Sequence, residues 1–280
     1  MLGTMRTMKP DDVPSAMELS TVANWNQTTG DWYRVMQLSS GGCRCIDNAG
    51  SIVATASLLP YGTQLAWIGM VLTRPEYRRQ GLARRLMEDA ISTAERSGIR
   101  TLKLDATDEG RPLYERLGFV VEEAVERWGR DSRKSLAVGI KSGSGGNISS
   151  KLSEGLLAQD LAAFGVDRRD LLEVLSAAGR CNTSESGYVL SRPGRVARYL
   201  GPCVAGSDEE VRQLIAAHLD AEISEGSQWY WDLLPANVGA LSCATEFGFT
   251  RRRGLWRMRR GEVIRNNDAI VYAIAGFELG

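Results

Sequence analysis

The tightest constraint on the fold lies between residues 66 and 105. Ala66-Trp67-Ile68-Gly69-Met70-Val71-Leu72 is an apolar run short enough for a buried strand. A basic turn comes next, Arg78-Arg79-Gln80-Gly81. Leu82, Ala83, Leu86, Met87, Ala90, Ile91 and Ala94 then recur at helical spacing, and Gly98 supplies a stop. Thr101-Leu102-Lys103-Leu104-Asp105 alternates as a further strand, so the segment reads as strand, turn, helix and strand of an α/β protein. The turn suits a phosphate. A helix start exposes unpaired N–H groups and partial positive charge. Gly81 has no Cβ to hold a phosphate off the backbone, and the arginines add charge-assisted hydrogen bonds. The segment is not a nucleotide P-loop, because no Gly-x-x-x-x-Gly-Lys-Ser/Thr is present. Taken alone, Arg-x-x-Gly-x-Ala also describes an ordinary basic surface helix.

Residues 112 to 119 narrow the choice. Pro112-Leu113-Tyr114-Glu115-Arg116-Leu117-Gly118-Phe119 is a short helix that stops on glycine and opens a new strand. The order strand, Arg-x-x-Gly-x-Ala, helix, strand, Leu-Tyr-x-x-x-Gly-Phe resembles the acetyl-CoA core of the GCN5-related N-acetyltransferases (GNAT), over roughly residues 4 to 130.

The resemblance implies acetyl-CoA as cosubstrate, no metal, and direct acetyl transfer to a primary amine of a small molecule or a protein. It implies that Arg79, Gln80, Gly81, Leu82, Ala83 and Arg84, with Arg78 beside them, wrap the CoA pyrophosphate. Met70, Val71, Leu72 and Thr73 would bind the pantetheine arm and the thioester carbonyl through their backbone. Tyr114 would protonate the departing thiolate, or would only pack on the CoA arm. The attacking amine must be neutral, and a free alkylamine has a pKa of about 10. A base or a desolvating pocket is therefore needed. The strand before the turn carries no Glu, where many relatives place a base. Asp105, at a strand end, is the expected base or amine anchor; alternatively its carboxylate caps the following turn. Asp108 is the runner-up, or a plain turn residue. Trp25 and Asn26, between helices expected at Asp11–Ala23 and around Asp31–Gln37, border the acceptor channel in this family. Trp25 has an alternative role as a core or lid anchor.

The second half repeats the first. Arg195 to Ala205 reads as strand, Ser207-Asp208-Glu209-Glu210 starts a helix, Gln228 to Asp232 is strand-like, and Asn237 to Glu246 is a helix closed by Phe247-Gly248-Phe249. Leu104-Asp105…Leu117-Gly118-Phe119 thus echoes Trp231-Asp232…Phe247-Gly248-Phe249. The expected architecture is two tandem acyl-CoA N-acyltransferase folds, α/β with a mixed sheet. It places a catalytic domain at 1–131 and a degenerate one at 132–280, with Lys141 to Asn147 as linker. The combination resembles bacterial tandem acetyltransferases of the YitH-like type. The second copy lacks the chemistry. Acidic residues replace the basic turn, and four residues before its Gly248 stands Ala244, where the first copy has Tyr114 before Gly118. One CoA per chain is expected.

The chain has 280 residues, with 34 basic side chains balanced by 34 acidic ones. Zero formal charge argues against a nucleic-acid or anionic-membrane binder. The cluster Arg251-Arg252-Arg253…Arg257…Arg259-Arg260 reads as an anion site or, more simply, a solvated face with Arg257 and Arg259 opposite Trp256 and Met258. Apolar runs are too short to span a membrane, and no signal-like core opens the chain. Five cysteines without metal-site spacing read as buried free thiols, which places the protein in the cytoplasm. His218 and the Trp229-Tyr230-Trp231 run read as packing. The composition leaves monomer and homodimer both open. A CoA-binding sensor that has lost catalysis is the competing function.

Overall fold

The computed structural model describes residues 3–131, 147–148, 151–220 and 228–280. The first copy runs β1 (Thr4–Thr7), α1 (Val13–Val22), α2 (Thr29–Leu38), β2 (Cys43–Asn48), β3 (Ser51–Tyr61), β4 (Leu65–Thr73), α3 (Leu82–Arg96), β5 (Thr101–Ala106), α4 (Arg111–Arg116) and β6 (Val120–Asp131). The second runs β7 (Asn147–Ile148), α5 (Glu154–Phe164), α6 (Arg169–Ala178), β8 (Arg180–Thr183), β9 (Gly187–Arg192), β10 (Arg198–Ala205), α7 (Asp208–Asp220), β11 (Gln228–Leu233), α8 (Val238–Glu246), β12 (Thr250–Gly261) and β13 (Val271–Ala273). Residues 141–146 of the expected linker lie outside the described residues. Among the described residues, no helix is long and apolar enough to cross a membrane.

Local chemistry accounts for the elements that matter to function. α2 starts on a reciprocal cap, in which Thr28 Oγ1 accepts from the Asp31 N–H and Asp31 Oδ2 accepts from the Thr28 N–H. α8 starts where Asn237 Oδ1 accepts from the Ala240 N–H at 3.1 Å. α3 buries Leu82, Leu86, Met87, Ala90, Ile91 and Ala94, the stripe read from the sequence. Leu82 and Leu86 pack with Ile46, Val53, Ala54 and Ala56 of β2 and β3. Truncating Leu86 to alanine would cost roughly 2–5 kcal/mol.

The chain divides into two compact units. The first comprises Met1–Glu122, Arg257–Val263 and Glu278–Gly280, and the second Glu123–Trp256 and Ile264–Phe277. Compared with a division at 131/132, the copies trade strand segments. Most of β6 counts with the second unit, and the end of β12 with the first. In the first unit the strand order is β1-β2-β3-β4-β5 with β12 next to β5. β1 to β4 pair antiparallel, and β4 and β5, joined through α3, pair parallel. In the second unit the order is β6-β11-β10-β9-β8-β7, with β13 also on β10. Here β10 and β11, joined through α7, are the parallel pair. Its core gathers Val211, Leu214, Ile215, Trp229, Trp231, Phe247 and Phe249, so the aromatic strand β11 is interior, as its composition suggests.

Candidate active site

In the first unit the ladder between β4 and β5 is short. Their parallel register covers only Leu65–Trp67 against Thr101–Lys103. Past that point, among the described residues, no strand is in register with the β5-facing edge of β4. On its other side, β4 meets β3 with a register shift between Thr55 and Ser57. Met70 absorbs the extra residue at φ +50°, a left-handed conformation that is uncommon for a side-chain-bearing residue. Thr55 Oγ1 donates to the Met70 carbonyl at 2.8 Å inside the core and holds the bulge. Met70 and Leu72 point inward, and Val71 and Thr73 are half-exposed. A non-glycine residue held this way costs about 1–3 kcal/mol and persists where surrounding structure enforces it.

The basic turn comes directly after β4. Arg78, Arg79, Gln80 and Gly81 are all exposed. Arg79 and Gly81 adopt φ of +60° and +79°. A Cβ on Gly81 would meet nothing within 4 Å, so glycine is required there by backbone conformation and not by space. Gly81 is the N-cap of α3, no side chain caps that end, and the first turn carries no acid. The first N–H groups of α3 are therefore open to an anion. Arg84 is exposed and pairs with Glu88 at 2.7 Å; Ala83 is half-buried.

Tyr114 lies on α4, 9% exposed, with its ring edge-on to Phe119 at 6.3 Å between centroids. Its Cε2 would stand 3.1 Å from a Cβ at Gly110, a tight approach just before the helix. Burial pushes the phenol up to about 12. Its hydroxyl has no hydrogen-bond partner among the described residues. Buried tyrosines ordinarily find one.

Asp105 is placed differently from a base open to substrate. Its side chain is fully covered, and both oxygens receive hydrogen bonds from Arg257, from Nε at 3.0 Å and from an Nη at 3.1 Å. Arg257 was expected on a solvated face. It is instead 5% exposed, with its guanidinium 4.7 Å over Trp67. The physical reason is that β12 is covered on both faces at this point, since neighbouring Met258 is also buried. Asp108 sits in an exposed turn. Trp25 is half-buried and Asn26 is 6% exposed in the loop between α1 and α2.

Two further residues meet here. Gln27, 8% exposed, donates through Nε2 to Glu278 Oε2 at 3.0 Å. Glu278 packs over β4, and a Cβ on Gly69 would lie 2.8 Å from its carbonyl oxygen and 2.9 Å from its Cα. The loop 25–27 and the segment Glu278–Gly280 are thus brought beside the bulge. Gln27 Oε1 is buried without a partner, an arrangement that costs about 1–3 kcal/mol. Neither residue carries a sequence signal. Gln27 belongs to no periodic pattern, and Glu278 stands 251 positions away from it.

The Acetyltransferase (GNAT) family matches residues 14–119, and an Acetyltransferase (GNAT) domain matches residues 156–273. The chain belongs to the GNAT acetyltransferases. It is 34% identical over 179 residues to YitH of Bacillus subtilis, named as an uncharacterized N-acetyltransferase, spanning 60% of this chain and 60% of that relative. It is 25% identical to a holothin acyltransferase of Pseudoalteromonas over 94% of this chain and 90% of that one. The crystal structure of a candidate acetyltransferase from Pyrococcus horikoshii superposes with a TM-score of 0.87 at 22% identity, covering 99% of this chain and 95% of that one.

The two GNAT units differ in the places where a cofactor would lie. In the second unit, β10 and β11 also lose register past Leu200 and Trp231, but β13 fills the gap. Cys203 pairs with Ala273, the Ile274 N–H donates to the Asp232 carbonyl, and Trp231 Nε1 donates to the Tyr272 carbonyl at 2.7 Å. The start of α7 is filled as well. Glu210 accepts from the Gly206 N–H at 2.9 Å, the Ser186 N–H at 3.1 Å and the Ser184 hydroxyl at 2.6 Å. Desolvation works to raise the Glu210 carboxyl, but these hydrogen bonds outweigh it and hold it below the usual range. What the second unit does keep is the buried ion pair. Asp232, fully covered, receives both hydrogen bonds from Arg127 at 2.7 and 2.6 Å. The Asp232–Arg127 pair matches the Asp105–Arg257 pair of the first unit in geometry.

Proposed function

We propose that this GNAT protein transfers an acetyl group from acetyl-CoA to a primary amine of a small molecule or protein, using one site in the first unit. The observation that carries the reading is an uncapped, acid-free helix start placed directly after a bulged strand with an unregistered edge. Bound there, acetyl-CoA supplies an activated acetyl thioester. The N–H groups at the start of α3, with Arg78, Arg79 and Arg84, suit its pyrophosphate. Backbone groups of Met70 to Thr73 suit its arm, and a β4 N–H at Met70 or Val71 can donate to the thioester oxygen. Tyr114 stays protonated well above neutral pH and carries an uncommitted O–H, so it can hold a proton toward the leaving sulfur. The five cysteines are free and buried, and burial pushes Cys43, Cys45 and Cys181 up to about 11, which suits a reducing cytoplasm.

The likeness to a holothin acyltransferase supports a small-molecule acceptor. A further relative is named [Ribosomal protein bS18]-alanine N-acetyltransferase, at 28% identity over 129 residues, and supports a protein amino group. Calorimetric titration with acetyl-CoA, and then thiol release against a panel of primary amines, tests the proposal. Binding with turnover is expected. Binding without turnover of any acceptor would leave a CoA-binding regulatory module instead, and absence of binding would overturn the site.

A further inference from the structure

We infer that the segment Glu278–Gly280, latched by Tyr61, walls the inner end of the site and holds the acyl group to the size of an acetyl, so that longer unbranched acyl-CoA thioesters are turned away. This rests on the transfer reading above and names what sets the acyl length.

The order of features along β4 places the wall. The basic turn follows Thr73, the bulge is at Met70, Gly69 is next inward, and pairing with β5 is reached at Trp67 and Lys103. Strands rise about 3.3 Å per residue, so Trp67 lies about 10 Å inward of the bulge. A cofactor arm that starts at the turn and runs inward along β4 brings its thioester to Met70. The carbon chain beyond the carbonyl then lies beside Gly69. That position is already occupied. A Cβ on Gly69 would stand 2.8 Å from the Glu278 carbonyl oxygen and 2.9 Å from its Cα. The obstacle is main chain, which cannot swing aside as a side-chain tip does. Trp67 points to the same face of the strand as Gly69, with the Arg257 guanidinium 4.7 Å over its ring and Arg257 tied to Asp105. On the opposite face Ile68 and Met70 are each 1% exposed. A longer acyl chain would therefore meet packed atoms on both faces.

The segment is fastened in place. The Tyr61 hydroxyl donates to the Leu279 carbonyl at 2.5 Å, Gln27 Nε2 donates to Glu278 Oε2 at 3.0 Å, and Leu279 itself is buried. The second unit repeats the device. Gly201 precedes the register shift of β10, a Cβ there would collide with the Ile274 carbonyl, and the Tyr199 hydroxyl donates to that carbonyl at 3.1 Å. β13 goes further and pairs with Cys203 and Val204, past the glycine. A main-chain strap over the glycine before the bulge is thus common to both copies. Only in the second, among the described residues, does a strand of the strap also pair beyond that glycine.

Calorimetric titration with CoA, acetyl-CoA, propionyl-CoA and butyryl-CoA tests the wall without an acceptor. Wild type should bind CoA and acetyl-CoA alike. It should lose about 10- to 200-fold in affinity on going to propionyl-CoA, the range for one methylene in a fitted pocket, and more for butyryl-CoA. Tyr61→Phe removes the latch and keeps the ring. It should bind CoA and acetyl-CoA as wild type does, and cut the preference for acetyl-CoA over butyryl-CoA by about tenfold, the reach of one hydrogen bond. Deletion of residues 278–280 should bring that preference close to none while CoA affinity holds. A merely structural role for Tyr61 would lower all of these affinities together and leave their ratio unchanged. A wild type that binds butyryl-CoA as tightly as acetyl-CoA would overturn the proposal, as would a ratio that Tyr61→Phe leaves unmoved. A wild type that binds no CoA at all would overturn the transfer reading, and the wall with it.

Discussion

Replacing Arg257 by Met is the sharpest test of how Asp105 is used. The substitution keeps the length and apolar stem of the side chain but removes the cation. In the native unit the Arg257 side chain is 6% exposed and that of Asp105 is 0% exposed, and two hydrogen bonds at 3.0 and 3.1 Å join them. Solvent screening is therefore slight, and an unpaired carboxylate would remain where water does not reach. Breaking one side of such a pair costs about 3–5 kcal/mol. Asp105→Asn should cost a comparable amount, since it strands the guanidinium. Joint replacement by Arg257→Met and Asp105→Leu should recover most of the loss, because a well-packed apolar pair can match a buried ion pair. Urea unfolding monitored by tryptophan fluorescence, run as a double-mutant cycle, reads the coupling directly. The second unit supplies a replicate, with Arg127→Met against Asp232. A single-mutant loss under about 1 kcal/mol would refute the structural assignment. So would an Asp105→Asn variant of native stability that binds acetyl-CoA but does not turn over, because that is how a base behaves.

Tyr114→Phe should lower kcat by about 100- to 10,000-fold while calorimetric affinity for acetyl-CoA stays near wild type. With the phenol pushed up to about 12, a rate that collapses with a Tyr114-dependent midpoint below pH 10 would contradict its assignment. Gly81→Ala should cost about 1–2 kcal/mol of stability through its positive φ, and Gly81→Glu should abolish acetyl-CoA binding in a chain that still folds by circular dichroism. His218 is held neutral: desolvation first, then the charges of Arg180 and Arg198, push it down to about 3. The unfolded chain takes up that proton below about pH 6.5 while the folded one does not, so stability should fall as pH drops through that window. At pH 4.5 the loss approaches about 2.7 kcal/mol. His218→Leu should flatten that dependence in urea titrations at pH 7 and 4.5, and equal pH dependence in both proteins would exclude it. Acetyl-CoA should titrate to one equivalent per chain, because β13 and Glu210 already fill the corresponding positions of the second unit; two equivalents would show that they yield.

Much of the fold was legible because it rests on local rules. The stripe of α3, the glycine at its start, the short helix before Gly118-Phe119 and the echo of all three in the second half are patterns of neighbours a few residues apart. Those patterns alone located the basic turn and Tyr114, and they marked the second copy as stripped of both. Tertiary structure decided what depends on residues far apart in the chain. Asp105 read as a base or amine anchor, or as a cap on the following turn, because its partner Arg257 lies 152 positions away, on a strand from the other copy. The expected boundary fell at 131/132, but the strand segments trade units, since a β-edge is satisfied by whichever strand offers it hydrogen bonds. Glu278 and Gln27 meet over Gly69 for a similar reason. Their proximity is set by where β4 packs, and nothing in the periodicity around either residue encodes it. The bulge at Met70 is likewise a mismatch in register between two strands, a property of the pair that neither sequence carries by itself.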